Sequence, residues 1–417
     1  MDSFIIEGPS KIKGEINISG SKNSALAILF ATILTGDECK LENVPQLMDI
    51  KTTYELLSYS GKTCFFENNR FKVIENSKIK TEAPYDLVRK MRASVLVSGP
   101  MLARFGYAKF SMPGGCAIGV RPIDIHLEGF KKMGANVVLD GGYVILKAKK
   151  LKPANIYLKF PSVGATENLM MAASLIDGKT VIRNAAKEPE ISDLAAVLKK
   201  MGADISGDGS SEIVIKGTKN LIGFSHSVIP DRIEAGTFLL LCATCGGVLT
   251  LKSCQPSHLT ALISKLKKTG AEIKICEENI HIKSSGRIKP CSITTAPYPG
   301  FPTDLQAQWM AYMSVASGSS KIVESIFENR FMHVPEMVRM GADITIKRNT
   351  AFVNGVKSLI GATVMASDLR AAAGLVIAGA KAEGISKIRR VYHIDRGYEG
   401  IESKLALLGV KIKRVGE

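Results

Sequence analysis

The chain has 417 residues, of which 46% are hydrophobic and 23% charged, a composition typical of a globular protein large enough for two or three domains. The sequence does not begin with a basic segment followed by an apolar one, and its longest uncharged run (235–251) is short and contains glycines, so neither a signal peptide nor a membrane span is expected. The net charge of +16 is spread along the chain without basic runs or aromatic clusters, which favours solvated surface or an anionic small ligand over nucleic acid.

The eight cysteines show no regular spacing, and without a secretory signal they are expected to be reduced thiols in a cytoplasmic protein. Cys242 and Cys245 form a CxxC pair, but this pair lies inside the apolar run and no second pair accompanies it. We therefore interpret the pair as part of a buried helix, followed by a strand, and expect no metal site.

One pattern recurs six times: an amphipathic segment, a glycine, and a short strand with alternating polarity. These glycines are expected to end helices, they are spaced 68 to 73 residues apart, and they are Gly61, Gly134, Gly202, Gly270, Gly341 and Gly409. A second helix, apolar on most faces, precedes each copy, as in "SALAILFATILTG" and "ENLMMAASLIDG". The pattern predicts six α+β units, grouped as two domains of three, with a cleft that suits a ligand.

Polar residues stand at the joints between these units. Lys22 and Asn23 precede the first buried helix, where backbone N–H groups and a lysine can hold an anion, although Ser21 or Asn23 can equally be a plain N-cap. Ser162 and Gly164, in "FPSVGATEN", precede another buried helix and suit either a phosphate or a capped turn.

The segment "SMPGGCAIGVRP" (111–122) carries three glycines around Cys116, with Arg121 five residues later. Such a strip is a poor core element, so we expect an exposed thiol whose pKa the nearby cation lowers, and we favour a functional role.

Three further residues or groups lie at joints in the last third of the chain. Asp304 stands at a helix start, where the helix dipole stabilises a carboxylate whatever its role. Asp368 and Arg370 occupy the matching position of the last unit, and Arg396 lies in a turn beside a glycine. Arginines in such places suit a carboxylate or phosphate, with a surface ion pair as the default interpretation.

The fingerprints of several enzyme classes are absent: there is no GxGxxG after a strand, no GxxxxGK[ST], no HExxH and no GxSxG. Instead, the chain carries, in order, "SGSKNSALA", "PGGCAIGVRPIDIHLEGFKKMGA", "FPSVGATEN", "FENRFMHVPE" and "HIDRGYEG". On these segments, and over essentially its full length, it closely resembles the UDP-N-acetylglucosamine enolpyruvyl transferases of the enolpyruvyl transferase family.

The resemblance implies a two-domain, inside-out α/β barrel (prism) of six βαβαββ-like units with buried helices, three units per domain. One domain would comprise 1–21 and 230–417, and the other 22–229, with 111–122 as its lid loop. The first strand would then pair with the C-terminal domain.

The reaction that the resemblance implies is transfer of the enolpyruvyl group of phosphoenolpyruvate to the 3′-hydroxyl of UDP-N-acetylglucosamine, with release of phosphate, in peptidoglycan synthesis. It implies no cofactor, no metal, and no nucleic-acid or membrane partner.

The resemblance also implies a role for each matched residue. It implies that Cys116 is the general acid and site of a covalent adduct, that Asp304 is the base, and that Asp368 is a second catalytic carboxylate. The residues implied to bind phosphoenolpyruvate are Lys22, Asn23, Arg121, Arg370 and Arg396, of which Lys22 and Arg396 also count as catalytic. Those implied to bind the nucleotide sugar are Arg92, Arg121, Pro122, Ile123, Asp124, Ile125, Ser162, Val163, Gly164, Asp304 and Ile326.

Two alternatives remain beside this interpretation. The sister transferase acting on shikimate 3-phosphate shares the repeats but lacks the PGGCAIG loop. A non-catalytic basic binding protein with the same fold is disfavoured because Lys22, Cys116, Asp304 and Arg396 are all present.

Overall fold

The structure is a computed structural model that describes residues 2–112 and 123–416. The strands are β1 (Ser3–Gly8), β2 (Ile12–Asn17), β3 (Cys39–Glu42), β4 (Lys62–Glu67), β5 (Arg70–Glu75), β6 (Glu82–Ala83), β7 (Tyr107–Ser111), β8 (Asn136–Asp140), β9 (Tyr143–Lys147), β10 (Asn155–Tyr157), β11 (Gly178–Arg183), β12 (Asp204–Ser206), β13 (Glu212–Gly217), β14 (Ser225–Ser227), β15 (Gly247–Lys252), β16 (Glu272–Cys276), β17 (Asn279–Ser284), β18 (Ile293–Thr294), β19 (Ser319–Val323), β20 (Asp343–Lys347), β21 (Thr350–Asn354), β22 (Thr363–Met365), β23 (Gly384–Arg389) and β24 (Lys411–Val415).

The α-helices are α1 (Lys22–Ala31), α2 (Met48–Tyr59), α3 (Tyr85–Val88), α4 (Ser98–Phe105), α5 (Asp124–Lys132), α6 (Val163–Ala173), α7 (Pro189–Lys200), α8 (Arg232–Cys245), α9 (Thr260–Lys268), α10 (Gln306–Met313), α11 (Val334–Arg339), α12 (Leu369–Lys381) and α13 (Ile401–Leu407). Short 3₁₀ helices span Thr32–Leu34, Arg92–Val97, Pro256–Leu259, Thr303–Leu305 and Val391–Arg396.

The described chain divides into two compact units. The first unit comprises 2–19 and 230–416, and the second comprises 20–112 and 123–229.

Each unit carries three four-stranded sheets with one shared topology. The orders are β22-β23-β1-β24, β16-β17-β15-β2 and β18-β19-β21-β20 in the first unit, and β14-β3-β5-β4, β6-β7-β9-β8 and β10-β11-β13-β12 in the second. In every sheet a parallel pair at one edge is followed by an antiparallel pair at the other, as in β10–β11 and β12–β13. The prediction of six βαβαββ units, three to a unit, is therefore confirmed within the described residues.

Three of the sheets are completed by strands that are remote in the sequence. β1 pairs with both β23 and β24, which confirms that the first strand joins the C-terminal part of the chain. β2 lies parallel to β15, and β14 lies parallel to β3. Each unit is thus closed by hydrogen bonds between the beginning and the end of its own chain segments.

The apolar helices form the centre of each unit. In the first unit α8, α10 and α12 contact one another, and their residues are almost all buried. Their backbones approach closely: a Cβ added at Gly374 would lie 2.9 Å from the carbonyl oxygen of Ala307, so no larger residue fits without a shift. In the second unit α1 and α6 are equally buried. Helices inside and sheets around them confirm the predicted inside-out arrangement.

The apolar run 235–251 forms the buried part of α8 and then β15, as predicted. Burial raises the pKa of the Cys242 and Cys245 thiols to about 12, so both stay protonated. None of the helices in the described ranges combines the length and the apolarity needed to cross a bilayer.

The repeat glycines end their helices as predicted, and all six have a positive φ between 87° and 114°. After α5, for example, the Gly134 N–H donates to Lys131 and the Ala135 N–H donates to Phe130, at 2.9 and 3.0 Å. This is the Schellman arrangement, which satisfies the last helical carbonyls and turns the chain toward the next strand.

Candidate active site

A carboxylate held between two guanidinium groups is the central feature of the first unit. Asp304 lies in the 3₁₀ turn before α10; its Oδ1 accepts from Arg330 Nη2 at 2.9 Å and its Oδ2 from Arg370 Nη2 at 2.8 Å. The two arginine side chains are 5% exposed, whereas that of Asp304 is 28% exposed. Because Arg370 is buried, its default interpretation as a surface ion pair is wrong.

A second carboxylate, Glu324, joins the loop of Asp304 to the loop of Ile326. Glu324 is buried and accepts from Thr303 Oγ1 at 2.9 Å through one oxygen and from the Ile326 N–H at 2.8 Å through the other. These bonds place the predicted base and the predicted sugar contact on adjoining loops.

Arg370 is the second residue of α12, and Asp368 is the N-cap of that helix. The Asp368 Oδ1 accepts from the Arg370 and Ala371 N–H groups at 2.9 and 3.1 Å. Arg370 Nη1 is buried and has no hydrogen-bond acceptor among the described residues. A buried N–H of a cation with no acceptor is costly, so this atom is suited to receive an anion.

Asp368 and two of the arginines affect the pKa values of two histidines, His333 and His393. Burial lowers the pKa of His333 to about 4, with Asp368 opposing and Arg330 assisting the shift. Partial burial and the charge of Arg396 lower the pKa of His393, and Asp368 again opposes. The charges of Asp368 and Arg396, two of the predicted site residues, therefore both act on His393.

In the second unit, Lys22 is the first residue of α1. Ser21 is the N-cap, accepting from the Ser24 N–H at 3.4 Å, so the capping interpretation is confirmed for Ser21. Lys22 Nζ donates to Asp49 Oδ2 at 3.4 Å, and Asn23 is half-buried beside it. The helix start thus combines backbone N–H groups with a partly exposed cation.

Two of the predicted nucleotide-sugar residues of the second unit, Arg92 and Gly164, are related to one histidine. His126, on α5, is buried, and burial together with the charge of Arg92 lowers its pKa to about 3, so the ring is neutral. A Cβ added at Gly164 would lie 3.5 Å from the same ring, at the start of α6. The N-terminus of α6 therefore lies beside the His126 ring, and the charge of Arg92 acts on that ring.

The start of α6 is also capped, because Ser162 Oγ accepts from the Ala165 N–H at 3.3 Å. Val163 and Gly164 follow as half-buried residues of the first turn. Asp124 is exposed and Ile125 half-buried at the start of α5, and Ile123 before them is buried.

The predictions that concern Cys116, Arg121 and Pro122 fall on residues outside those the structure describes. Within 2–112 and 123–416, no group of three or more histidine, cysteine, aspartate or glutamate side chains is arranged to hold a metal ion.

Several residues of these clusters were not predicted from the sequence. Arg330, His126 and Tyr398, whose ring centroid lies 5.6 Å from the central guanidinium carbon of Arg370, lie inside motifs quoted above. The motifs therefore marked the right segments without assigning these side chains a role. Asn168, whose Nδ2 lies 3.1 Å from His126 Nδ1, is likewise the last residue of the quoted "FPSVGATEN". Asp49 carried no local signal, because its contact with Lys22 joins residues distant in the sequence.

Comparison with known proteins places the chain in a family. The family model for EPSP synthase (3-phosphoshikimate 1-carboxyvinyltransferase) matches residues 6–405. A UDP-N-acetylglucosamine 1-carboxyvinyltransferase of Elusimicrobium minutum is 55% identical, and one of Magnetococcus marinus is 52% identical; the alignments cover 99% and 100% of this chain and the same shares of the relatives.

Solved structures agree on the fold. The enolpyruvyl transferase NikO from Streptomyces tendae superimposes with a TM-score of 0.90 at 23% identity, covering 99% of both chains. EPSP synthase from Acinetobacter baumannii gives a TM-score of 0.77 at 19% identity, covering 100% of both. The chain belongs to the EPSP synthase family of enolpyruvyl transferases and, within it, to the UDP-N-acetylglucosamine 1-carboxyvinyltransferases.

Proposed function

We propose that this protein transfers the enolpyruvyl group of phosphoenolpyruvate to the 3′-hydroxyl of UDP-N-acetylglucosamine and releases phosphate. The observation that carries the proposal is the identity of 52–55% to enzymes of that name over essentially the whole chain. The step belongs to peptidoglycan synthesis, and the protein would work in the cytoplasm on two small anionic substrates, which suits its net charge of +16.

The reaction is an addition followed by an elimination. The sugar oxygen bonds to the central carbon of phosphoenolpyruvate while its proton leaves, and the CH₂ carbon gains a proton. The phosphate then leaves, the new methyl group loses a proton, and the vinyl ether forms. Such a sequence needs a base, an acid and cations for the phosphate and the carboxylate.

In the first unit we assign the base to Asp304 and the anion contacts to Arg370 and Arg396. The Asp304 carboxylate is partly exposed, and the guanidinium groups of Arg330 and Arg370 hold its position. Arg370 Nη1 supports the assignment, since it is buried without an acceptor among the described residues. Asp368 caps α12 and so orients Arg370, and Ile326 would contact the sugar.

In the second unit we assign phosphoenolpyruvate contacts to Lys22 and Asn23, and nucleotide-sugar contacts to Arg92, to 123–125 and to 162–164. The N-terminus of α6 supports a diphosphate contact, because its first N–H groups and helix dipole favour an anion. Cys116 is assigned as the proton donor and adduct site, and Arg121 and Pro122 as further contacts, on the strength of the resemblance.

The test is phosphate release from the protein incubated with phosphoenolpyruvate and UDP-N-acetylglucosamine. We expect release that requires both substrates and is lost in Cys116→Ala. Cys276→Ala is the matched control, because Cys276 is an exposed thiol on β16 and should leave the rate unchanged. No release from the native protein would overturn the proposed activity, and equal release from Cys116→Ala would overturn the role of that thiol.

The same assay separates the sister activity. Shikimate 3-phosphate replaces the nucleotide sugar in a parallel reaction, and we expect no phosphate release above background. We also expect fosfomycin, an epoxide, to alkylate Cys116 and to add its mass to the native protein but not to Cys116→Ala.

A further inference from the structure

The guanidinium of Arg370 contacts the face of an aromatic ring. Its central carbon lies 5.6 Å from the centroid of the Tyr398 ring, and Tyr398 is buried. Burial by itself would lower the pKa of Arg370, but the charge of Asp304 raises it above its ordinary value. The arginine therefore has an ion pair to Asp304 at Nη2, an aromatic face beside it, and Nη1 without an acceptor among the described residues.

The far end of the Tyr398 ring is held by hydrogen bonds whose directions can be assigned. Thr237 Oγ1 donates to the Ile233 carbonyl at 2.8 Å, so its single hydrogen is used. The Tyr398 hydroxyl, 2.8 Å from Thr237 Oγ1, must then be the donor of that pair. Burial raises the pKa of Tyr398 although Arg370 lowers it, so the phenol is neutral and keeps this proton.

Gln308 joins the tyrosine to the candidate base. Its Nε2 donates to the carbonyl oxygen of Asp304 at 3.0 Å and lies 3.2 Å from the Tyr398 hydroxyl oxygen, which can accept its second hydrogen. Gln308 is fully buried on α10. The backbone of Asp304 and the ring of Tyr398 are thus tied to one amide group.

We propose that Tyr398 is a positioning residue for substrate binding: its ring, held by Thr237 and Gln308, fixes the guanidinium of Arg370 so that Nη1 faces the anionic group of phosphoenolpyruvate. The inference rests on the proposed function and deepens it. The ring acts as a neutral partner for the cation, which leaves the positive charge available to the substrate, whereas a second carboxylate there would neutralise it.

The test compares two substitutions of Tyr398 in steady-state phosphate-release kinetics. Tyr398→Leu removes the aromatic face, and we expect the KM for phosphoenolpyruvate to rise about tenfold, equivalent to about 1.4 kcal/mol. The KM for UDP-N-acetylglucosamine should change less than twofold. Tyr398→Phe keeps the face and loses only the hydroxyl, so it should raise the phosphoenolpyruvate KM by about threefold or less.

Tyr312 supplies a matched control in the same unit. It is a buried tyrosine on α10 whose hydroxyl donates to Thr269 Oγ1 at 2.7 Å, and it does not contact Arg370 through its ring. Tyr312→Leu should lower the melting temperature without changing the phosphoenolpyruvate KM. If Tyr398→Leu does not fold, Tyr398→Met is measured in its place, because the unbranched methionine side chain adapts more readily to the space of the ring and also lacks a π face.

The outcomes are separable from those of the proposed function. Absence of phosphate release from the native protein would overturn the activity itself. With an active native protein, an unchanged phosphoenolpyruvate KM in folded Tyr398→Leu or Tyr398→Met would overturn the inference. Equal increases for Tyr398→Phe and Tyr398→Leu, or an equal increase for the nucleotide sugar, would also overturn it, because neither fits a role of the aromatic face at Arg370.

Discussion

Asn168→Ala is expected to destabilise the second unit strongly, because this amide joins three segments of its core. Asn168 Oδ1 accepts from the Gly99 N–H at 2.7 Å. Its Nδ2 lies 3.1 Å from the Val95 carbonyl oxygen, 2.9 Å from Ser98 Oγ and 3.1 Å from His126 Nδ1. One fully buried side chain thus fixes the 3₁₀ helix of Arg92, the start of α4, and the neutral ring on α5.

The magnitude follows from which groups lose their partners. The Gly99 N–H, in the first turn of α4, would lose its acceptor Asn168 Oδ1, and a buried unpaired donor costs about 1–3 kcal/mol. Val95 keeps the hydrogen bond from Ser98 Oγ, so its loss is smaller. The substitution also removes the hydrogen bonds of Asn168 Nδ2 and part of the side-chain volume. We therefore expect the free energy of unfolding to fall by about 3 kcal/mol, or the melting temperature to fall by about 6–12 °C.

The assay is urea unfolding of Asn168→Ala beside Asn136→Ala, which removes an exposed asparagine on β8 and should change the free energy of unfolding by less than about 0.5 kcal/mol. Nitrogen NMR of His126 adds a direct readout of the tautomer. If Asn168 Nδ2 donates to His126 Nδ1, the neutral ring must carry its proton on Nε2. A loss of unfolding free energy below about 1 kcal/mol for Asn168→Ala, or a proton found on His126 Nδ1 in the native protein, would contradict this role of the Asn168 amide.

Three further changes test the same physical picture. Gly99→Ala should destabilise by about 3 kcal/mol in thermal unfolding, because its Cβ would lie 2.3 Å from Asn168 Oδ1. Glu167→Gln should stabilise increasingly as the pH rises above 4.5: burial and the neighbouring glutamates raise the pKa of Glu167, so the unfolded chain loses this proton first and native stability falls with pH. The pKa values of His126 and His333 are lowered to about 3 and about 4, so acidification from pH 6.5 towards 4 should cost up to about 1.4 kcal/mol per pH unit for each ring in urea unfolding.

For each of these three predictions, one measurement would contradict it. Gly134→Ala, where a Cβ meets nothing within 4 Å but φ is +92°, separates backbone strain from the collision at Gly99, and an equal cost at both sites would count against the collision. A constant difference between Glu167→Gln and the native protein from pH 5 to 8 would show that Glu167 is ionised when folded. Variants with glutamine at the two histidines should lose less stability in acid than the native protein, and an unaltered slope would contradict the assignment.

Local patterns in the sequence were sufficient to predict the helices and strands and their sixfold repetition. Helix periodicity, the glycines after each amphipathic helix and the small apolar residues of α8 and α12 are local signals, because each reflects the conformation of a few neighbouring residues or the burial of one face. Local signals also identified the joints near Lys22, Ser162 and Asp368, because capping residues precede the buried helices there.

Which distant segments pair with one another could not be predicted from such local patterns and follows from tertiary packing. Six similar units offer many equivalent partners for a short strand, so nothing local specified that Ser3 pairs with Arg389 rather than with another unit. The ion pairs of Asp304 and the amide of Asn168 likewise depend on side chains dozens of residues away, brought together when the central helices pack. Local patterns determine the conformation of a segment. The free energy of burying an arginine or an asparagine instead depends on its hydrogen-bond and ion-pair partners, which come from other segments once the chain has packed.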